Sequence, residues 1–327
     1  MELIDRRIVQ CLQRDGRAPF RRLAEALGIS EQTVARRYRA LHNDGALRVR
    51  AYLGDRATGT QRWFVRVQCR PDAADVLADA IAARDDVSWV STTSGGSEIV
   101  CVAFTDPDAP RGSVLARLPR TSQVLSFTAF AVLHMHVSSD TKWLAYDDPL
   151  SPEQLAVLRP HRPSPGPSAS PTLRPDDAPL LAELNRDGRL GVVALAKATG
   201  WPQSRVSTRL DELLSSGALH IAVDLAPPLF GFHASAYLWL TVTPGELDAT
   251  GHALSLHPET TFSAAVTGAA NLLVTVTCRT TEDLYLYVTS KIGALPAVHQ
   301  VEIVPVLHHL KQSGTLMRNG RLVLEPA

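Results

Sequence analysis

Apolar residues Ile4, Ile8 and Leu12 recur at helical spacing and predict a first helix with one buried face. After the turn Arg14-Asp15-Gly16-Arg17, the positions Leu23, Ala24 and Leu27 predict a second, shorter helix that stops at Gly28. Ser30 is placed to cap a third helix, whose buried side is Val34, Tyr38 and Leu41 and whose end is Gly45. The link Leu27-Gly28-Ile29-Ser30 between two short helices predicts a helix-turn-helix, with glycine relieving the backbone where the chain reverses.

Beyond this point the period drops to two. Arg48–Leu53 alternates as a strand leaving the helices, part wing and part hinge. Arg62–Cys69 predicts a strand, and Asp72–Arg84 a helix through Val76, Leu77, Ala80 and Ile81. Val87–Thr93 and Ile99–Phe104 predict strands joined through residues 94–98, followed by a helix over Asp108–Leu118 and a strand over Val124–His134. That order, β-α-β-β-α-β, is ferredoxin-like.

The pattern then returns. Asp5–Leu47 and Asp177–Leu219 align without a gap at a constant offset of 172, pairing Gly16 with Gly188, Gly28 with Gly200, Arg37 with Arg209 and Gly45 with Gly217. A repeat this long is a duplicated module, not a solenoid unit. Strands follow over Ser235–Thr243, Thr260–Val266, Leu272–Cys278 and Val298–Leu307, with helices over Gly245–Leu256 and Thr281–Ile292. Between the halves, Arg159–Pro175 is rich in Pro and Ser and predicts a semi-extended linker, reaching on the order of 50 Å if polyproline-like. The expected fold is α+β: two winged helix-turn-helix domains and two ferredoxin-like βαββαβ domains in tandem. Their boundaries are 1–52, 53–146, a linker over 147–175, 176–225, 226–311 and a C-terminal tail over 312–327. The halves should dock as an intrachain pseudo-dimer, and whole chains as a homodimer.

Charge separates the two copies, although the 327-residue chain carries no net formal charge. From Met1 to Arg50, 11 arginines stand against 6 acids; from Asp176 to Leu225, 5 basic residues stand against 7 acids. Only the first copy is prepared electrostatically for a phosphate backbone. On its third helix Gln32, Thr33 and Arg36 fall near the N-terminus on the outward face, where base edges are reached. Arg37, Arg39, Arg48 and Arg50 are placed for phosphates, with Arg21 and Arg22 of the preceding helix in support. In the second copy Gln203, Ser204, Arg205, Thr208 and Arg209 occupy these places, but Asp211 and Glu212 follow.

Cys11, Cys69, Cys101 and Cys278 form no CxxC pair and read as small buried hydrophobes in a reducing cytosol. No apolar run reaches spanning length, so a soluble cytoplasmic protein without a membrane partner is expected. His134 and His136 share a strand face, but two ligands do not complete a zinc site and no Cys or carboxylate adjoins them in sequence; no metal is expected. Gly95 and Gly96 lie between strands without a following Lys-Ser/Thr. They serve an unusual turn or the close approach of a ligand or partner backbone, and not a phosphate loop.

The opening Leu3-Ile4-Asp5, the Arg-Asp-Gly-Arg turn, Leu23-Ala24, Gly28-Ile29-Ser30, Thr33-Val34 and the closing Gly45 make the first helix-turn-helix distinctive. With the βαββαβ domain after it, the chain resembles the Lrp/AsnC family of bacterial transcription regulators, here with the family's two-domain unit fused in tandem. The resemblance covers nearly the whole chain apart from the linker and the residues after Lys311. It implies a helix-turn-helix that reads double-stranded DNA and a ferredoxin-like domain that dimerises through its sheet. It also implies a small effector, commonly an amino acid, near the loop after that domain's second strand. The matching positions are Gly95, Gly96, Ser97 and Glu98 in the first half and Gly268 to Asn271 in the second. The family's loop commonly carries an Asp; Glu98 keeps that charge with longer reach, and Asn271 loses it.

A second resemblance points to an enzyme. Siroheme decarboxylases resemble the same two-domain plan and also occur as fused pairs. They usually show a segment containing His and Arg on the first strand of the ferredoxin-like domain. Here residues 54–62 contain no His, and the second counterpart offers only His233. The expectation is therefore a regulator without catalytic residues or cofactor. A module that only oligomerises and does not bind DNA is the third reading.

Overall fold

Three helices, α1 (Leu3–Arg14), α2 (Phe20–Leu27) and α3 (Glu31–Asn43), come first, followed by strand β1 (Leu47–Leu53) and a single turn α4 (Asp55–Thr58). Next come β2 (Gln61–Cys69), α5 (Ala74–Ala82), β3 (Val87–Thr93), β4 (Glu98–Thr105), α6 (Val114–Arg117), β5 (Val124–Val137) and α7 (Pro152–Val157). A second triplet α8 (Ala178–Arg186), α9 (Val192–Thr199) and α10 (Gln203–Ser215) leads to β6 (Leu219–Leu225) and β7 (Ala234–Val242). Then follow α11 (Leu247–Ser255), β8 (Thr260–Val266), β9 (Leu272–Cys278), α12 (Thr281–Leu286), β10 (Val298–Gln312), β11 (Thr315–Arg318) and β12 (Arg321–Leu322). This computed structural model describes residues 1–106, 112–137, 148–158 and 173–324. The chain divides into two compact units: Met1–Gly59 with Asp147–Leu225 and Leu324–Ala327, and Thr60–Tyr146 with Ala226–Val323.

In the first unit the helix signals act as the sequence predicts. Gly28 closes α2 in the left-handed region at φ 66°, and Ser30 Oγ accepts from the Thr33 amide at 3.1 Å at the start of α3. Ile8, Leu12, Leu23, Val34 and Leu41 are buried between α1, α2 and α3; Leu180, Leu184, Leu195, Val206 and Leu210 fill the matching places among α8, α9 and α10. The two triplets are joined by an antiparallel ribbon of β1 and β6, running from Leu47 opposite Leu225 to Leu53 opposite Leu219. At its centre Arg50 faces Ala222, two residues separated by the 172-position offset of the sequence repeat. The ribbon is thus pseudo-symmetric about that pair.

The second unit is built on one antiparallel sheet of ten strands, in the order β12-β11-β10-β3-β4-β2-β5-β8-β9-β7. Since β10 also pairs with β7, eight of these strands form a closed ring, with β11 and β12 appended. The four strands of each half follow ferredoxin-like order, and the halves join at both edges, β5 to β8 and β3 to β10. A closed ring leaves those edges no unpaired backbone to expose. Inside it Phe64, Val100 and Val102 meet Tyr237, Trp239 and Phe262, and the Tyr237 hydroxyl is 3.0 Å from Ser91 Oγ. Outside, α5 and α6 cover Val65, Val67 and Ile99, while α11 and α12 cover Leu238, Leu240 and Val274. All four cysteines are free and buried.

Two expectations are corrected. Of the tail expected over 312–327, the described part 312–324 is built into the fold: β10 runs to Gln312 and returns through a Ser313-Gly314 turn into β11 and β12, where Met317 and Leu322 are buried. The segment 147–175 is not wholly linker. Its part 148–158 carries α7, started by a capping box between Ser151 and Gln154, and is stitched to α1 through Arg7–Asp148 at 2.7 Å and Gln10–Leu150 at 3.2 Å. The proline-rich stretch 159–172 lies outside the described residues, as does the first part of the helix expected over Asp108–Leu118; its Val114–Arg117 portion is helical.

Candidate functional site

The outward face of α3 presents Gln32, Arg36 and Arg39 as exposed side chains, with Arg21 exposed on α2. Arg39 donates its Nε to the Ala35 carbonyl at 3.2 Å, one helical turn back. Thr33 is half-buried, its hydroxyl 2.8 Å from Ser30 Oγ, so it serves the helix cap as well as the surface. Arg22 is partly buried and lies 3.8 Å from Asp15.

The other arginines expected at phosphates are engaged inside the unit. Arg37 reaches back to α1, 2.6 Å from Glu2 and 3.3 Å from Asp5, and its guanidinium is held more firmly protonated by the Glu2 hydrogen bond. Arg48 donates to the Asn185 and Arg186 carbonyls at 3.0 and 3.1 Å, satisfying the C-terminal end of α8. Arg50 is buried, 2.8 Å from the equally buried Asp224. The sequence reading of Arg50 as a backbone contact is therefore corrected by its burial, whereas Arg37 and Arg48 are partly exposed and a phosphate meeting them would compete with an internal ion pair or a helix end.

On α10, Gln203, Ser204 and Thr208 are exposed. Arg205 lies 3.9 Å over the Trp201 ring and is ion-paired with Asp176, which draws its charge off the helix face. Arg209 is buried, 2.6 Å from Asp177 and 2.8 Å from Glu212, so its assignment to DNA is corrected by burial, as for Arg50. Burial alone would raise the Asp177 carboxyl, but hydrogen bonds from Arg209 and the Arg174 amide hold it below the usual carboxylate value. Asp5 and Asp177, like Arg37 and Arg209, are 172 positions apart, so the repeated charges mark one internal pair made twice.

The shared Arg-Asp-Gly-Arg turns hold a contact that sequence reading missed. Arg17 donates to the Gly188 carbonyl and, at 2.8 Å, to Leu190; Arg189 donates to Gly16 at 2.6 Å and to Ala18 at 2.9 Å. The exchange is reciprocal, as in an isologous interface. Arg189 also stacks 4.6 Å over Phe20. The signal was present in the recurrence of Arg17 and Arg189 themselves, at the same offset as the glycines.

The turn at Ser94–Ser97 is open. Gly95 and Gly96 have φ of 69° and 87°, and a Cβ on either would meet nothing within 4 Å. Ser97 donates its hydroxyl to the Ser94 carbonyl at 2.8 Å. Glu98 is fully buried beneath the turn. Its Oε1 accepts from Arg66 at 2.6 Å and Gln68 at 2.9 Å, and its Oε2 from Thr93 and Ser94, both at 3.0 Å. The expectation that Glu98 offers its charge to an effector is corrected, because four protein donors already occupy its carboxylate. Arg66 continues to Glu302 of the other half through two bonds of 2.8 Å. In the second half Asn271 clamps the Val242 backbone with two bonds of 2.9 Å, and the space a Cβ would need on Gly268 is bounded by Phe130, 2.9 Å away.

Among known proteins, an AsnC-type helix-turn-helix domain matches residues 1–42 and a Lrp/AsnC ligand binding domain matches residues 235–316. An uncharacterized HTH-type transcriptional regulator of Pyrococcus abyssi is 24% identical over 139 residues, covering 42% of this chain and 87% of its own. The HTH-type transcriptional regulator FL11 of Pyrococcus horikoshii is 28% identical over 141 residues, covering 43% and 93%. The crystal structure of the siroheme decarboxylase NirDL superimposes with a TM-score of 0.64 at 14% identity, covering 94% of this chain and 92% of that one. A second structure of that enzyme, in co-complex with an iron-uroporphyrin III analogue, gives 0.61. No helix among the described residues is long and apolar enough to cross a membrane. The chain thus carries an AsnC-type helix-turn-helix domain over residues 1–42 and a Lrp/AsnC ligand binding domain over residues 235–316.

Proposed function

We propose that this protein is a DNA-binding transcription regulator of the Lrp/AsnC type, in which one polypeptide holds two copies of the helix-turn-helix and ligand-domain unit. The domains run as the sequence divides them, except that residues 148–158 join the first helix-turn-helix domain and residues 312–324 the last ferredoxin-like one. One observation carries the reading: on the α2–α3 surface Arg21, Gln32, Arg36 and Arg39 are exposed, while the residues 172 positions on are Val193, Ser204, Thr208 and Asp211, and the exposed Arg205 of α10 is already ion-paired with Asp176 and stacked on Trp201. DNA is read by the first copy, and the second supplies the other half of a pseudo-dimer. The open turn at Gly95–Ser97 is where a small effector bearing a carboxylate would approach backbone amides. Whole chains associate further as a homodimer.

The test is binding to DNA from upstream of the protein's own gene, followed by anisotropy across a range of salt. Arg36→Ala is expected to weaken specific binding by about 1–3 kcal/mol, the worth of a bidentate base contact. Arg39→Ala should lower the salt slope by about one counterion. Arg205→Ala should change affinity by roughly twofold or less, since rim charges that are already paired contribute little. Equal losses from Arg36→Ala and Arg205→Ala would overturn the asymmetric reading.

The full-length superposition on NirDL favours a second reading, an enzyme acting on an iron tetrapyrrole. It is tested by titrating the protein with iron-uroporphyrin III and following the Soret band. The regulator reading expects no saturable shift; a shift saturating near one tetrapyrrole per chain would favour the enzyme.

A further inference from the structure

The strand β5 belongs to the first ferredoxin-like half and the helix α11 to the second, yet they bring together a donor set that neither half holds alone. His134 and His136 sit two residues apart on β5 with ring centroids 4.8 Å apart. Asp248, in the first turn of α11, places Oδ1 3.9 Å from His136 Nδ1. One ligand atom from each of the three falls within 4.8 Å of the others. The absence of a nearby carboxylate, which argued against a metal on sequence grounds, does not hold in three dimensions, because the carboxylate arrives from a helix 112 positions away.

Local structure around the cluster is specific. Register shifts in the β5–β8 pairing fall on both sides of it, between Val132 and His134 and between Met135 and Val137, and such bulges re-aim side chains. The His136 ring is packed onto Gly251 of α11 and occupies the space any Cβ there would need. Only 4% of the His136 side chain is exposed, and its Nε2 has no hydrogen-bond partner among the described residues. That Nε2 edge lies against Gly251, and the ring nitrogen turned toward Asp248 is Nδ1.

We propose that His134, His136 and Asp248 form a divalent transition-metal site that ties the two ferredoxin-like halves together, its remaining positions filled by water. Two imidazoles and a carboxylate suit Zn²⁺, Co²⁺ or Ni²⁺ and not the oxygen-only shells of Ca²⁺ or Mg²⁺. Metal–nitrogen bonds of about 2.0–2.1 Å require the three side chains to close inward by a small amount. His134 and Asp248 are exposed and free to make that movement, while His136 is the fixed member. The solvent side stays open, which fits a site that exchanges its ion.

The experiment uses the full chain, stripped with a chelator and then titrated with Co²⁺ while visible absorption is recorded, and with Zn²⁺ in a competition assay. One ion per chain is expected, with a tetrahedral or five-coordinate cobalt spectrum and a rise in thermal midpoint. His134→Ala and Asp248→Asn change exposed residues, so folding should persist while affinity drops on the order of 100-fold. His308→Ala, exposed on β10 away from the cluster, serves as control and should bind as the parent does. Failure to bind saturably, or binding that survives the combined His134→Ala and Asp248→Asn substitutions, would overturn the site.

Discussion

Asp224→Ala is expected to speed amide exchange in residues 47–53 and 219–225 by roughly a hundredfold to a few thousandfold, equivalent to about 3–5 kcal/mol. The substitution leaves the Arg50 guanidinium charged in a site where both members of the pair are almost wholly buried. The position makes the loss specific. Arg50 and Ala222 face one another at the centre of the β1–β6 ribbon and are related by the repeat offset, so a symmetric ribbon would oppose two like residues there. Two arginines on that axis would repel, and two alanines would leave the centre unfilled. The chain places Arg on one side and Ala on the other, and sends the guanidinium to Asp224, the repeat counterpart of Tyr52. This pairing favours the two copies joining each other over either joining its own duplicate. The double variant Arg50→Met with Asp224→Leu should recover most of the loss, because an apolar pair of similar volume avoids the uncompensated charge. Exchange unchanged in Asp224→Ala would show that Arg50 finds another partner and that the ribbon does not depend on the pair.

The division between what was readable in sequence and what was not follows the range of the interactions. Helix ends were legible because a cap is local: Ser30 acts on Thr33, and Gly28 adopts its φ without help from distant residues. Strands were legible wherever one face is buried, as along Arg62–Cys69. The C-terminal hairpin was legible but missed. Ser313-Gly314 and Asn319-Gly320 are turn dipeptides, and all four residues take positive φ. The roles of the arginines were not legible from a count, since a charge total treats Arg36 and Arg50 alike. Only the fold shows that Arg50 meets a carboxylate 174 positions away while Arg36 stays on the surface. Repetition offered a partial remedy. Where a charged residue recurs at the repeat offset together with its opposite, as Asp5 and Arg37 recur in Asp177 and Arg209, an internal pair is the simpler account. Asp248 had no such signal, because the cluster it joins is not duplicated.

Glu98→Ala is expected to destabilise the second unit by about 3–5 kcal/mol, read as a lowered denaturant midpoint. The loss should exceed any change in affinity for an amino acid. Removal of the carboxylate strands the Gln68 amide and the Ser94 hydroxyl beneath the turn, leaves the Thr93 hydroxyl only the residue 98 carbonyl at 3.3 Å, and leaves Arg66 with Glu302 as its carboxylate partner. Glu302 is half exposed, so its attraction is screened by water and only partly offsets the loss. Glu98→Gln separates charge from hydrogen bonding. It retains an acceptor for Arg66, and its amide nitrogen can donate to the hydroxyls that formerly donated to Oε2, so the destabilisation should be smaller. A site in which Glu98 met a ligand's ammonium would behave in the opposite way, with calorimetry against the common amino acids losing its signal in both variants while the midpoint stayed at the parental value. The saturated geometry argues for the first pattern, with the exposed Gly95–Ser97 turn carrying any ligand contact above it. Because Arg66 reaches Glu302 across the two halves, a ligand that pulled on this turn would also bear on how the halves are joined, a coupling that requires the ligand to prefer one of two arrangements.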